Sequence, residues 1–150
     1  MKKYFMWAVV VCGLASSFSA TAQFAKPEDA IKYRKAAFTL TGAHFGRLGQ
    51  MAQGKTPFDA KVANENAEVV ASMAKLPWAA FTEGSDVGDT KAKPEIWKQS
   101  AKFKELAEKL QSDTAKLAAA TKTGKEDAFK TALTAVQGTC KSCHDDFRNK

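Results

Sequence analysis

Apolar residues return at every third or fourth position along four stretches of this chain, and nowhere do they alternate at period two for long enough to make a convincing strand. The first stretch runs from about Pro27 to Gln53, with Ile31, Phe38, Phe45, Leu48 and Ala52 on one stripe. Pro27, Glu28 and Asp29 suit its start: proline lacks an N–H that the first turn would leave unpaired, and carboxylates favour the positive end of the helix dipole. Gly54, Lys55 and Thr56 then make a short break. Thr56-Pro57 reads as the N-cap and first residue of a second helix, which continues through Val62, Val69, Met73 and Leu76 until Pro77 stops it. Trp78 to Lys93 contains Gly84, Ser85, Asp86, Gly88 and Asp89, a loop composition. Pro94 and Glu95 open a third helix whose buried side is Ile96, Ser100, Phe103, Leu106, Leu110, Thr114 and Leu117. Thr123-Gly124 interrupts, and a fourth helix runs from about Lys125 to Phe147, with Phe129, Leu133, Val136, Cys140, His144 and Phe147 on its stripe. The pattern predicts an all-α, antiparallel four-helix bundle in which short first and third connections join neighbours.

Ahead of these helices, Met1–Ala22 reads as a secretory signal peptide. Lys2 and Lys3 form its basic start, Tyr4–Leu14 its apolar centre, and Ala20-Thr21-Ala22 its cleavage site, with Gln23 as the mature N-terminus. The apolar run falls short of the ~20 residues a membrane span needs, so no stable membrane insertion is expected. Lipoprotein processing at Cys12 is the rival, and the bulk of Val11 speaks against it. Cleavage leaves one domain, 23–150, and the loss of Lys2 and Lys3 lowers the formal charge from +7 to +5. Such a surplus could steer an acidic partner, but an exported chain with no basic-aromatic cluster is not expected to bind nucleic acid. The periplasm is the expected compartment.

The chemistry concentrates in Cys140-Lys141-Ser142-Cys143-His144, six residues from the end. C-x-x-C-H is the pattern of covalent haem c attachment. Thiols three positions apart lie on neighbouring sides of one helical face, so each can add to one vinyl group of the same porphyrin. The imidazole that follows reaches the iron as axial ligand. A zinc site would need a fourth ligand, and His44 is the only other histidine. A thioredoxin-like reading would need a βαβ setting that the pattern does not offer. One haem c per chain is therefore expected, on the core-facing stripe of the fourth helix. Small globular cytochromes c carry the motif near their N-terminus and supply a methionine from well downstream, whereas the residues after His144 include none. Met51, Met73 and His44 are the remaining candidates for a sixth ligand. Trp78 and Phe81, at the start of the long loop, need an apolar surface, either a haem edge or the core.

The blocks Gln23–Arg34 (QFAKPEDAIKYR), His44–Arg47 (HFGR), Leu76–Phe81 (LPWAAF), Pro94–Trp97 (PEIW) and Cys140–Arg148 (CKSCHDDFR) extend this picture over essentially the whole mature chain. In this order they resemble cytochrome c′, the bundle-type class of periplasmic c cytochromes. The resemblance implies an iron bound by His144 on one side and by no protein atom on the other. It places Phe38 at the distal position of the first helix, where the best-known close relatives carry leucine. It also implies that Arg34 pairs with a haem propionate, that Lys35 and Asp89 lie against the haem, that Arg148 stands beside the proximal imidazole, and that the first two helices form a homodimer. Helical geometry agrees on the open position. His44 lies six residues past Phe38 and points about 120° away, and Met51 lies about 20 Å along the axis. Met73 sits in a Val-Leu stripe as core filler.

An open iron position in an apolar pocket suits small neutral diatomics. The function expected is therefore non-enzymatic binding of nitric oxide, with carbon monoxide bound more weakly because Phe38 crowds the site. Electron transfer with a periplasmic redox partner is the alternative. Peroxidase-type catalysis lacks a distal acid or base histidine.

Overall fold

The computed structural model describes residues 23–150, so the expected signal peptide and Cys12 lie outside the described residues. Four long helices form the bundle: α1 (Pro27–Ala52), α2 (Ala60–Met73), α4 (Ser100–Lys122) and α5 (Glu126–Phe147). A 3-10 turn, Pro77–Ala80, and a one-turn helix, α3 (Glu95–Lys98), stand between α2 and α4. α1 packs on α2, α2 on α4 and α4 on α5, and α5 closes more lightly on α1. Gly54 and Gly124 take φ of 69° and 68°, the left-handed conformation that lets the chain reverse after α1 and before α5.

The core is a column of Leu48, Val70, Leu117, Phe129, Leu133 and Val136, none more than 1% exposed, laid against Ala63 and Ala67. Three details depart from the periodicity reading. α2 begins at Ala60, not at Pro57, because Asp59 caps it by accepting a hydrogen bond from the Val62 amide at 3.0 Å. Phe58, just upstream, stacks on Phe129 with centroids 5.4 Å apart and so fixes the entry of the chain. The inward face of α2 is Ala63, Asn66, Ala67 and Val70, continued by Ala74, while Val62 and Leu76 are exposed. Small residues let α2 approach its neighbours closely, and the larger Val62 is turned outward. The third helix is also broken. At Gln99 (φ −118°, ψ 44°) the chain bends, so that α3 stays on the end of α5 while α4 follows the bundle. Ser100 is consequently exposed, and Ile96 is buried by the bend.

Candidate functional site

α5 carries the motif. Its buried stripe is Phe129, Leu133, Val136, Thr139 and Phe147. Cys140 and Cys143 are half-buried on the flank of that stripe, and His144 is exposed. The expectation that the imidazole faces the core is thus corrected. At about 100° per residue, His144 stands roughly a quarter-turn round the helix from Val136 and a sixth of a turn from Phe147, enough to carry it off the stripe. Burial raises the Cys140 thiol pKa. Burial, with Cys140 and Asp146 adding, pushes Cys143 up to about 11. Both are therefore neutral thiols, and no group of three or more His, Cys, Asp and Glu placed to hold a metal ion occurs among the described residues. Burial and the nearby Arg148 charge lower the His144 pKa, so a neutral imidazole is presented.

The helix ends at Phe147, and Arg148 is extended (φ −124°, ψ 130°). Arg148 is therefore the C-cap of α5: its own dihedrals leave the helix, but it still closes the last turn onto His144. Its amide donates to the His144 carbonyl at 3.2 Å, and both residues line a cleft of about 390 Å³ with Lys93, Asp145, Asn149 and Lys150. The cause of the ending lies in the segment just before α3. Ala92 pairs with Arg148 in an isolated antiparallel bridge, the Lys93 amide donates to the Phe147 carbonyl at 3.0 Å, and the Asn149 amide to the Lys91 carbonyl at 2.8 Å. Lys93 Nζ donates to the Asp145 carbonyl at 2.9 Å, capping the negative end of α5.

The long loop is tied at its other end to α1. Arg34 is only 3% exposed, and its two terminal nitrogens donate to Ala80 O, Ser85 Oγ, Ser85 O and Thr90 Oγ1 at 2.5–2.9 Å. Four of its five N–H donors are engaged, which leaves Nε–H. Its guanidinium lies 4.5 Å from the Phe81 ring centroid, and burial lowers its pKa despite the opposing field of Asp86. Among the described residues no carboxylate forms an ion pair with it. Lys35 pairs with Asp89 at 2.5 Å on the surface, which holds that carboxyl below its usual range. Ser85, fully buried, and Thr90 were not legible as site residues, because no short motif marks a loop hydroxyl that will meet an arginine on a distant helix.

One turn beyond Arg34, Phe38 stands 37% exposed with its ring edge-on to Trp78 (5.9 Å) and Phe81 (6.4 Å). Trp78 and Phe81 stack on one another at 6.3 Å, and Phe103 joins both to Phe147. An aromatic wall therefore runs from α1 to the last turn of α5. The Trp78 indole N–H donates to the Ala74 carbonyl at 2.6 Å, which fixes that ring. Two of the other candidate ligands are engaged elsewhere, whereas Met73, expected as core filler, is only half-buried and stays outside the core cluster. Asn66 Nδ2 donates to the Val62 carbonyl, so its Oδ1 accepts from His44 Nδ1–H at 2.9 Å, and Met51 belongs to the buried core.

The family model for cytochrome c′ matches residues 29–148. The chain belongs to the cytochrome c′ family. Cytochrome c′ of Rubrivivax gelatinosus is 52% identical over 129 residues, which are 85% of this chain and all of that protein. Its crystal structure superimposes with a TM-score of 0.82 over the same share of each chain. Cytochrome c′ of Shewanella frigidimarina gives 0.83 at 41% identity, covering 85% of this chain and 99% of that one. A variant of the Alcaligenes xylosoxidans protein, solved as its nitric oxide complex, gives 0.80 at 44% identity, covering 85% and 99%. These matches establish the four-helix bundle and a haem c held covalently through cysteines. The residues here fit that group: two neutral thiols one turn apart, a neutral imidazole beside them, an aromatic wall, and a buried guanidinium that no carboxylate neutralises. No described helix is long and apolar enough to cross a membrane.

Proposed function

We propose that this cytochrome c′ is a periplasmic nitric oxide binder whose haem c is attached through Cys140 and Cys143, with His144 as its axial ligand. The bound haem supplies one axial iron position for a diatomic ligand. The chain's residues decide what reaches it. Phe38, braced by Trp78 and Phe81, is the observation that carries the reading: a bulky apolar ring with no donor atom, on the helix where the family places its distal residue. His44 and Met51 are committed to Asn66 and to the core, which supports an iron without a protein ligand opposite His144. An apolar wall disfavours anions and water, whose desolvation is costly. Relatives from Alcaligenes xylosoxidans have been crystallised as variants with nitric oxide and with carbon monoxide bound. Arg34 offers its remaining Nε–H and its uncompensated charge to a propionate, Lys35 and Asp89 hold the loop edge over the haem, and Arg148 guards the imidazole.

Equilibrium titration of the ferrous holoprotein with each gas tests this. Nitric oxide should bind far more tightly than carbon monoxide, and Phe38→Ala should raise carbon monoxide affinity by at least about tenfold, or about 1.4 kcal/mol. Equal carbon monoxide affinities in the two proteins would show that the ring does not cover the iron.

Electron transfer is the second reading. It is favoured by the exposed flank around His144, where Arg148 and Lys150 suit an acidic partner, Lys141 being paired with Asp145. Leu40 of α1 and Val62 and Leu76, on and just beyond α2, are each exposed, which is compatible with a homodimer through the first two helices. Sedimentation of the holoprotein tests that assembly.

A further inference from the structure

We infer that Asp113 is a positioning residue for the haem-bearing turn of α5, acting through the hydroxyl of Thr139. The inference rests on the reading of Cys140 as an attachment residue.

Asp113 lies on α4 and is 4% exposed. Its Oδ2 accepts from Thr139 Oγ1 at 2.7 Å and from Lys109 Nζ at 2.7 Å, and Lys116 Nζ lies 3.8 Å from Oδ1. Burial alone would raise the carboxyl pKa, but hydrogen bonds from Lys109 and Thr139 outweigh it, and the group stays ionised below its usual range. A buried carboxylate is a costly way to join two helices, since an apolar pair of similar volume often serves stability as well or better. What the charged hydrogen bond adds is direction. Apolar surfaces tolerate a small rotation of one helix against another, whereas a hydroxyl bonded to an anion at close range does not.

The placement along α5 gives that rotation its consequence. Thr139 immediately precedes Cys140 in the chain. A fixed azimuth at residue 139 sets that of Cys140 and, through the regular turn of the helix, those of Cys143 and His144. The other end of the segment is held by the Lys93 amide on the Phe147 carbonyl and by the Ala92 bridge to Arg148. The C-x-x-C-H turn is thus stretched between two fixed points, 139 and 147, about 12 Å apart along the axis. The comparable contact at the far side of α4, Thr121 Oγ1 on Asn64 Oδ1 at 3.2 Å, joins α4 to α2 well away from the motif and serves as control.

The test uses holoprotein variants, with thermal unfolding, midpoint potential and the ferric absorption and EPR spectra as readouts. Thr139→Val should shift the ferrous-to-ferric ratio at a fixed poise by about threefold, roughly 30 mV for a one-electron couple, and alter the ferric spectra. Thr139→Ser, which keeps the hydroxyl, should behave as wild type. Asp113→Leu combined with Thr139→Val should recover stability by supplying an apolar pair, yet keep the shifted potential and spectra, and it covers the case in which the single variant does not fold. Thr121→Val should lower the unfolding temperature and leave the haem readouts unchanged. If Thr139→Val and the double variant both retain wild-type potential and spectra, the inference is wrong. Haem released from wild type on denaturation in acid-acetone would instead defeat the attachment reading.

Discussion

The two ends of this bundle are built on different rules. Toward the Gly54 and Gly124 turns the interior is filled: Leu48, Ala63, Ala67, Val70, Leu117, Phe129 and Leu133 are essentially inaccessible, with Thr121 on Asn64 as a minor polar contact. Toward the other end the largest side chains, Phe38, Trp78, Phe81, Trp97 and Phe103, keep a face uncovered. That end is held by named polar contacts: Arg34 on the loop, Lys93 on the end of α5, and the Trp78 indole on Ala74. One half is stabilised by burial, which is non-directional. The other is kept in shape by directional bonds, as a wall for a flat apolar group must be if it is not to collapse on itself.

Substitutions that separate filling from holding should separate stability from haem chemistry. Replacing both Cys140 and Cys143 by serine should abolish covalent haem, seen as loss of the haem mass increment after denaturation. Leu117→Ala should cost about 3 kcal/mol of unfolding free energy and leave attachment and the visible spectrum intact. A Leu117→Ala protein with an altered spectrum would show that the two ends are not separate. Arg34→Met, which keeps much of the volume but none of the donors, should loosen residues 80–90. Expected are a loss of about 2 kcal/mol, since the acceptors it leaves behind are buried, and faster hydrogen exchange confined to that loop. Exchange that quickens through the whole bundle would argue against a local clamp.

The smallest effect is pH dependence. The Asp113 carboxyl has a folded-state pKa below its unfolded value, so its contribution is fully present above the ordinary aspartate range and is lost as pH falls through the folded value. Urea midpoints should therefore fall further between neutral and strongly acidic pH for wild type than for Asp113→Asn. Asp89, depressed by Lys35 at the surface, has the same sign but is screened by salt.

Most of the fold was legible in the sequence. Pro27, Gly54, Gly124 and the helical period placed α1 and α5 to within a few residues, whereas the third helix, expected to run unbroken from Pro94, divides at Gln99 into α3 and α4. The face of α2 was not legible, because Ala63, Asn66, Ala67 and Ala74, inward beside Val70, make a weaker hydrophobic signal than the stripe of Val62, Val69, Met73 and Leu76. The His144 orientation failed for a related reason. A stripe drawn at i, i+4 drifts round the helix at every step, because four residues overshoot one full turn. From Val136 through Cys140 to His144 that drift is enough to leave the core. The motif, by contrast, was plain, since its chemistry depends on spacing within one turn. Arg34 was singled out but its partners were not: Ala80, Ser85 and Thr90 meet it only once the loop is folded back over α1.

The proposed function requires that the iron of a bound haem be held by His144 alone, with Phe38 supplying no donor atom. The absorption spectrum of the reduced mature holoprotein tests this most directly. A broad, high-spin, five-coordinate spectrum is the expected result. Sharp low-spin bands, signifying a nitrogen or sulfur bound opposite His144, would contradict it.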